Sequence, residues 1–295
     1  MNPSQKQTPP VILIDRHLKI LTLGESEVLV HGQPAKWHSD SARALFFYLL
    51  SHPNGKSREE IIDAIWDSQP NAATNNRFRV TVCRLRSALG WRESIAELHS
   101  RYQLGQVVLE ACDSHKFYVL LAQAEHASNP ALKLERYQKA IVLYLGDYLP
   151  SETATWVLKI REEHNAAFAR AKIAVSLVHC HQGLCQSSVG ALAIALENDP
   201  FLGENHHQKL MSCLSVVEDK FAAIEHYRRF LTFLNHDIKD TPMPETIVLA
   251  ERIKAGERIC LRTLQQAAPP VKLQNPFIPD FHCHNLPMLE QRVLS

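Results

Sequence analysis

Apolar positions recur at helical spacing through most of the chain and at strand spacing in only a few short stretches. From Val11 to Trp37 the runs are short and strand-like: VILI, HLKILTL and EVLV, separated by Gly24 and by His31-Gly32-Gln33-Pro34. Ser41 to Ser51 follows as a helix, with Leu45 and Leu49 among its apolar positions. Ser57-Arg58-Glu59-Glu60 has the form of a capping box and opens a second helix that buries Ile61, Ile62, Ile65 and Trp66. A polar connection from Asp67 to Ala73 leads to a third helix, Thr74 to Gly90, whose Phe78, Val82, Leu85 and Leu89 form one stripe. Two strand-like segments then follow, Ile95–Leu98 and Tyr102–Leu109, joined by a short polar turn. The order is strands, three helices, then a hairpin.

Beyond Asp113 strands vanish. Helical patterns run over 114–126, 130–145, 153–182, 186–198, 201–216, 219–236 and 244–262. Asn129-Pro130 and Asp199-Pro200 sit at expected helix starts, and Gly146 and Gly183 at expected ends. ALAIALENDP (191–200) and AAIEHYRRFL (222–231) are weakly alike at a separation of about 31 residues, near the ~34-residue tetratricopeptide period. The predicted fold class is an α+β winged-helix domain followed by an all-α, tetratricopeptide-like helical-repeat domain. The expected divisions are a disordered lead at 1–10, the winged helix at 11–112, the helical domain at 113–262, and an extended, Pro-containing tail at 263–295.

The third helix carries the most chemistry. At about 100° per residue, the face opposite its apolar stripe is Asn76, Val80, Cys83 and Ser87. Arg77 and Arg84 line one rim of that face; Arg79 and Arg86 line the other. No acidic residue lies between Thr74 and Gly90. A helix fits the DNA major groove, where Asn suits bidentate contact with adenine and an apolar group such as Val80 suits a thymine methyl. The Arg rims would reach phosphates on the groove walls. The plain alternative is a solvated cationic face.

Composition narrows the remaining classes. A chain of 295 residues fits two domains, and its net charge of +1 leaves the nucleic-acid argument to the local Arg cluster. No apolar run reaches the roughly 18 residues of a membrane span, and the start, MNPSQKQTPP, lacks signal-peptide organisation. Seven scattered Cys suit reduced thiols in the cytoplasm. His179, Cys180, His181 and Cys185 in HCHQGLC, and His282, Cys283 and His284 in HCH, lack a second half for a closed zinc site. No metal site, cofactor or phosphate-binding glycine loop is expected, and no hydrolase motif is present, so an enzyme is not expected. Aromatic residues of the helical part, such as Tyr137, Trp156, Phe168 and Tyr227, are expected to pack between helices. Two other readings stay open: a helical-repeat adaptor whose winged helix binds protein, and a metal or redox sensor using Cys180 and Cys185.

These stretches together carry a resemblance. LTLGESEVLVHGQPAKW, ARALFFYLLSHPNGKSREEIIDAIW and NNRFRVTVCRLRSALG resemble the OmpR-type winged helix of SARP-type bacterial transcriptional activators. LGDYLP (145–150), ALENDP (195–200) and EHYRRFL (225–231) resemble the bacterial transcriptional activator domain that follows it. The resemblance implies that Arg84 and Arg86 are the recognition-helix Arg pair and that 95–104 is the wing. It implies that the loop 67–73, with Asp67, Ser68, Gln69 and Asn71, touches RNA polymerase or sigma factor. It further implies direct-repeat duplex DNA as the operator, paired protomers, and a cytoplasmic, nucleoid-associated activator. One departure is Arg101 where such wings usually carry Gly before the Tyr, here Tyr102; an Arg there would add a phosphate contact at the wing. No receiver domain is expected ahead of the winged helix, since only a short strand set lies upstream of Ser41.

Overall fold

The computed structural model describes residues 18–261. The expected lead, the strand-like run VILI, the tail and its HCH triplet lie outside the described residues. Strands β1 (Leu18–Leu21), β2 (Glu27–Val30) and β3 (Gln33–Pro34) form an antiparallel meander. Helix α1 (Asp40–Leu50) follows, capped by Ser39, whose hydroxyl accepts from the Ala42 N–H. Every residue of α1 from Leu45 to Leu50 is buried, so this helix is the spine around which the N-terminal part packs.

Ser57 and Glu60 make the capping box foreseen in the sequence: Ser57 Oγ accepts from Glu60 N at 3.2 Å, and Ser57 N donates to Glu60 Oε2 at 2.8 Å. That backbone bond, helped by Lys56, holds the Glu60 carboxyl down at about 2. The pair opens α2 (Arg58–Trp66). Lys56–Ser57 is also a short strand, β4, which pairs with the later hairpin; this strand was not foreseen. Helix α3 (Ala72–Leu89) starts two residues before the expected Thr74 because Asn71 caps it, Oδ1 accepting from Ala73 and Thr74. Strands β5 (Ile95–Leu98) and β6 (Arg101–Leu104) complete a β4-β6-β5 sheet. The expected strand 102–109 is divided: it stops at Leu104, and Gln106–Glu110 is a short helix, α4.

The remainder is helical: α5 (Asp113–His126), α6 (Pro130–Leu143), α7 (Thr155–His181), α8 (Cys185–Asn198), α9 (Glu204–Val217), α10 (Lys220–Phe233) and α11 (Pro244–Lys254). The most extensive helix pairings are α5 with α6, α7 with α8, and α9 with α10, three hairpins in series. Several boundaries shift by one to three residues from expectation, and α11 ends eight residues early; two of the shifts have a visible cause. Helix α9 starts at Glu204, because Asp199 accepts from the Phe201 N–H and turns 199–203 into a connection. Helix α11 ends at Lys254, and the chain past Gly256 runs extended, with Ile259 buried and its backbone bonded to the hydroxyls of Ser212 and Ser215.

The N-terminal sheet is built into the helical part. Thr22 N and Leu23 N donate to the buried Asp113 carboxylate, and Leu149 N donates to Thr22 O at 2.7 Å. Gly24 meets Gly146 closely: a Cβ on Gly24, whose φ is +94°, would lie 3.0 Å from Leu145. Tyr148 is fully buried and its hydroxyl sits 2.8 Å from Ser51 Oγ at the end of α1. One apolar core therefore runs from Ile20 and Phe46 through Phe117 and Tyr148 to Phe168. Two smaller clusters hold α8 to α9 and α9 to α11.

Candidate nucleic-acid interface

Helix α3 buries Phe78, Val82, Leu85 and Leu89, the stripe read from its period. Its outer face exposes Asn76, Val80, Cys83 and Ser87, with Val80 40% exposed. A large apolar side chain left in water at the centre of a polar face is the kind of group a base methyl covers.

The four arginines of α3 divide in a way the helical wheel could not give. Arg79 and Arg84 are exposed, and among the described residues no carboxylate pairs with either. Arg77 is exposed and its guanidinium lies over the Trp66 ring, 4.8 Å from the centroid. Trp66 is itself fixed by a bond from Nε1 to Ser41 Oγ. Arg86 is half-buried and turned toward the wing, donating from Nη2 to the Ile95 carbonyl at 2.9 Å. That guanidinium ties α3 to the base of the hairpin; the expected clamp role would need its remaining N–H groups.

The wing turn is two residues, His99 and Ser100, with φ of 49° and 61°. Both central residues in the left-handed region make a tight primed hairpin turn, a form that favours Asn and Gly. Arg101, in the position where the resemblance predicts Gly, donates from Nε and Nη2 to the Gly55 carbonyl and lies 3.5 Å from Glu60. It braces β6 against the turn before β4 while remaining partly exposed. Tyr102 is half-buried, its ring edge-on to Phe78 at 4.8 Å; burial first, then Glu97, pushes its hydroxyl pKa up.

A groove of about 530 Å³ runs beside α3, lined by Trp37, His38, Ser39 and Asp40 on one wall and by Arg77, Val80 and Arg84 on the other. The start of α1, with its capping Ser39, thus faces the Arg rim. The connection before α3 is compact. Asp67 ends α2 in the left-handed region with φ 47°, Ser68 bonds back to Trp66 O, and the Gln69 carbonyl accepts from Thr74 Oγ1. Asp67, Gln69 and Asn71 are exposed and Ser68 is half-buried. In the helical part, Cys180 is buried, Cys185 half-buried and His181 exposed; among the described residues no cluster of ligating side chains could hold a metal ion. No helix of the described residues is long and apolar enough to cross a membrane.

An α3 presented between a helix start and a two-stranded wing, on a chain that continues as helical hairpins, is the arrangement of a winged helix joined to a helical domain. Residues 112–254 match the family model of the bacterial transcriptional activator domain. The fold is similar to that of Mycobacterium tuberculosis EmbR, solved in complex with a low-affinity phosphopeptide: TM-score 0.69, 19% identity, covering 84% of this chain and 68% of that one. At that identity the likeness is one of fold. No curated protein matches the chain. Residues 112–254 thus carry a bacterial transcriptional activator domain, on a chain whose fold is like that of EmbR.

Proposed function

We propose that the chain binds duplex DNA with α3 in the major groove and activates transcription by recruiting RNA polymerase. The observation that carries this reading is the outer face of α3: an uncharged centre of Asn76, Val80, Cys83 and Ser87, flanked by Arg77, Arg79 and Arg84, with no carboxylate on the helix. Asn76 and Val80 read base edges, with Cys83 and Ser87 beside them; the exposed arginines hold phosphates. Arg86 and Arg101 set the wing's position and lend their outer N–H groups to the backbone; Tyr102 supports the wing from within. Asp67, Ser68, Gln69 and Asn71 form the surface offered to polymerase or sigma factor.

The working division is a winged helix over 11–112 and an activator domain over 113–262, whose hairpins we read as tetratricopeptide-like. Self-association through this second part would let two protomers occupy a direct repeat. Such a protein acts at the nucleoid in the cytoplasm and performs no catalysis.

Unbiased selection of bound duplexes with the full chain tests this directly. A recovered motif in two equally oriented half-sites is the expected result. Retention on heparin that duplex DNA cannot compete away would instead make the N-terminal part a protein-binding module.

A further inference from the structure

The activator domain holds a contact that DNA binding does not use. Lys209, on α9, is 2% exposed, and its Nζ donates to Cys180 Sγ, in the last turn of α7, at 3.2 Å. Cys180 is itself 6% exposed. Among the described residues no carboxylate pairs with Lys209. Burying an amine with no anionic partner is costly, and a structural role would be served as well by an apolar side chain of similar length. The pairing is long-range, 29 residues apart, so it joins two helices that the α8 hairpin separates in sequence.

We propose that Cys180 and Lys209 form an oxidation site in which a peroxide closes a covalent sulfur–nitrogen link between α7 and α9. The thiol first attacks the peroxide: the O–O bond breaks, sulfur gains a hydroxyl, and one water leaves. Sulfur is oxidised by two electrons and the peroxide is reduced. The Lys209 amine, already against the sulfur, then bonds to it. The S–O bond breaks, and the departing hydroxide leaves with a proton from nitrogen as a second water. One thiol, one amine and one peroxide give one sulfenamide and two waters. Sulfenic acids condense in this manner with a backbone nitrogen, and with thiols where one is at hand.

Nearby thiols are the natural competitors. Cys213 is one turn further along α9, and burial pushes its thiol up to about 11, which keeps it protonated and a poor nucleophile. The amine in van der Waals contact has the shorter path. Once closed, the link fixes the α7–α8–α9 unit as a covalent ring that added thiol can reopen. The activator domain would then stiffen under peroxide and relax on reduction.

The test is peroxide treatment of the full-length reduced chain, followed by proteolysis and peptide mass mapping. The expected product is one cross-linked peptide pair containing Cys180 and Lys209, two hydrogens lighter than the sum of its parts and lost on dithiothreitol. It should be absent from Lys209→Met and from Cys180→Ser. If either variant fails to fold, the wild-type map alone decides. Cys180 found as unmodified thiol, as sulfinic acid without a link, in a disulfide with another cysteine, or in a bridge retaining the oxygen would each overturn the proposal.

Discussion

Among the four arginines of α3, surroundings and not spacing decide what each one does. Arg84 stands in water at the edge of the groove beside α1, whereas Arg86 spends its Nη2 on the Ile95 carbonyl. Their alanine variants should therefore separate. Arg84→Ala should weaken binding to all duplexes and lower the salt slope of the association constant by about one unit. Arg86→Ala should lower the melting temperature as the hairpin base loosens, with a smaller change in slope. Fluorescence anisotropy over a salt series, with thermal melts of the free proteins, measures both. An unchanged slope for Arg84→Ala would remove it from the phosphate contacts. The centre of the face is expected to act otherwise: Asn76→Ala should flatten preference at one base position, at a cost of ~1–3 kcal/mol against the best duplex.

At the scale of elements, the wing depends on a turn built from residues that dislike it. His99 and Ser100 both hold positive φ without being glycine, a conformation that costs roughly 1–2 kcal/mol per ordinary residue. Ser100→Gly should relieve part of that and stabilise the fold by up to about 1 kcal/mol, read as a higher urea midpoint at constant slope. No gain would mean that neighbouring contacts already offset the strain. The elements that the sequence made legible are those whose signal is local. The stripe of α3, the Ser57–Glu60 box and the Asn129–Pro130 start each lie within a turn or two of chain. The missed ones are set from a distance or are ambiguous by themselves. Lys56–Ser57 is a strand only because Arg101 and Tyr102 lie alongside it. Val107, Val108 and Leu109 read equally as strand or helix, and the chain takes the helix once Gly105 ends the β6 pairing. The inward turn of Arg86 follows from where the hairpin lies, which a helical wheel does not contain. The outer face of α3 is exposed as its period predicts, whereas which of its arginines stay unengaged depends on where the hairpin and Trp66 lie.

The whole molecule joins its two parts more tightly than a linker would. Asp113 is bound by Thr22 and Leu23, and Gly24 passes so close to Gly146 that no side chain fits between them. The N-terminal meander is therefore mechanically continuous with α5 and with the segment that leads into α7. Gly24→Ala should strain both the positive φ and this contact, lowering the melting temperature by roughly a few degrees for each kcal/mol lost. A variant that melts as wild type would show that the close approach is not needed.

The same joint should make the fold sensitive to acid. His164, on α7, is fully buried with its ring stacked 4.1 Å from that of Tyr148, and burial lowers its pKa from 6.5 to about 4. Its Nδ1 lies 2.8 Å from the Ile160 carbonyl, and the ring of Tyr118 packs against its other side at 5.2 Å. Further along, His207 and His226 stack on each other and are likewise lowered to about 4, burial again being the main cause. Each ring binds a proton more readily in the unfolded chain than in the folded one. Their contribution is thus complete above pH 6.5 and is lost as the pH falls toward 4. For His164 alone the loss by pH 5 is on the order of 2 kcal/mol. Because Tyr148 links β1, α1 and α7, protonating its stacking partner should loosen the joint and the core together. Thermal melts at pH 7 and pH 5 should show a marked drop for the wild type and a smaller one for His164→Phe, which keeps an aromatic ring against Tyr148. An equal drop in both proteins would assign the acid sensitivity to the His207–His226 pair or to the carboxylates, and would leave the joint intact at low pH.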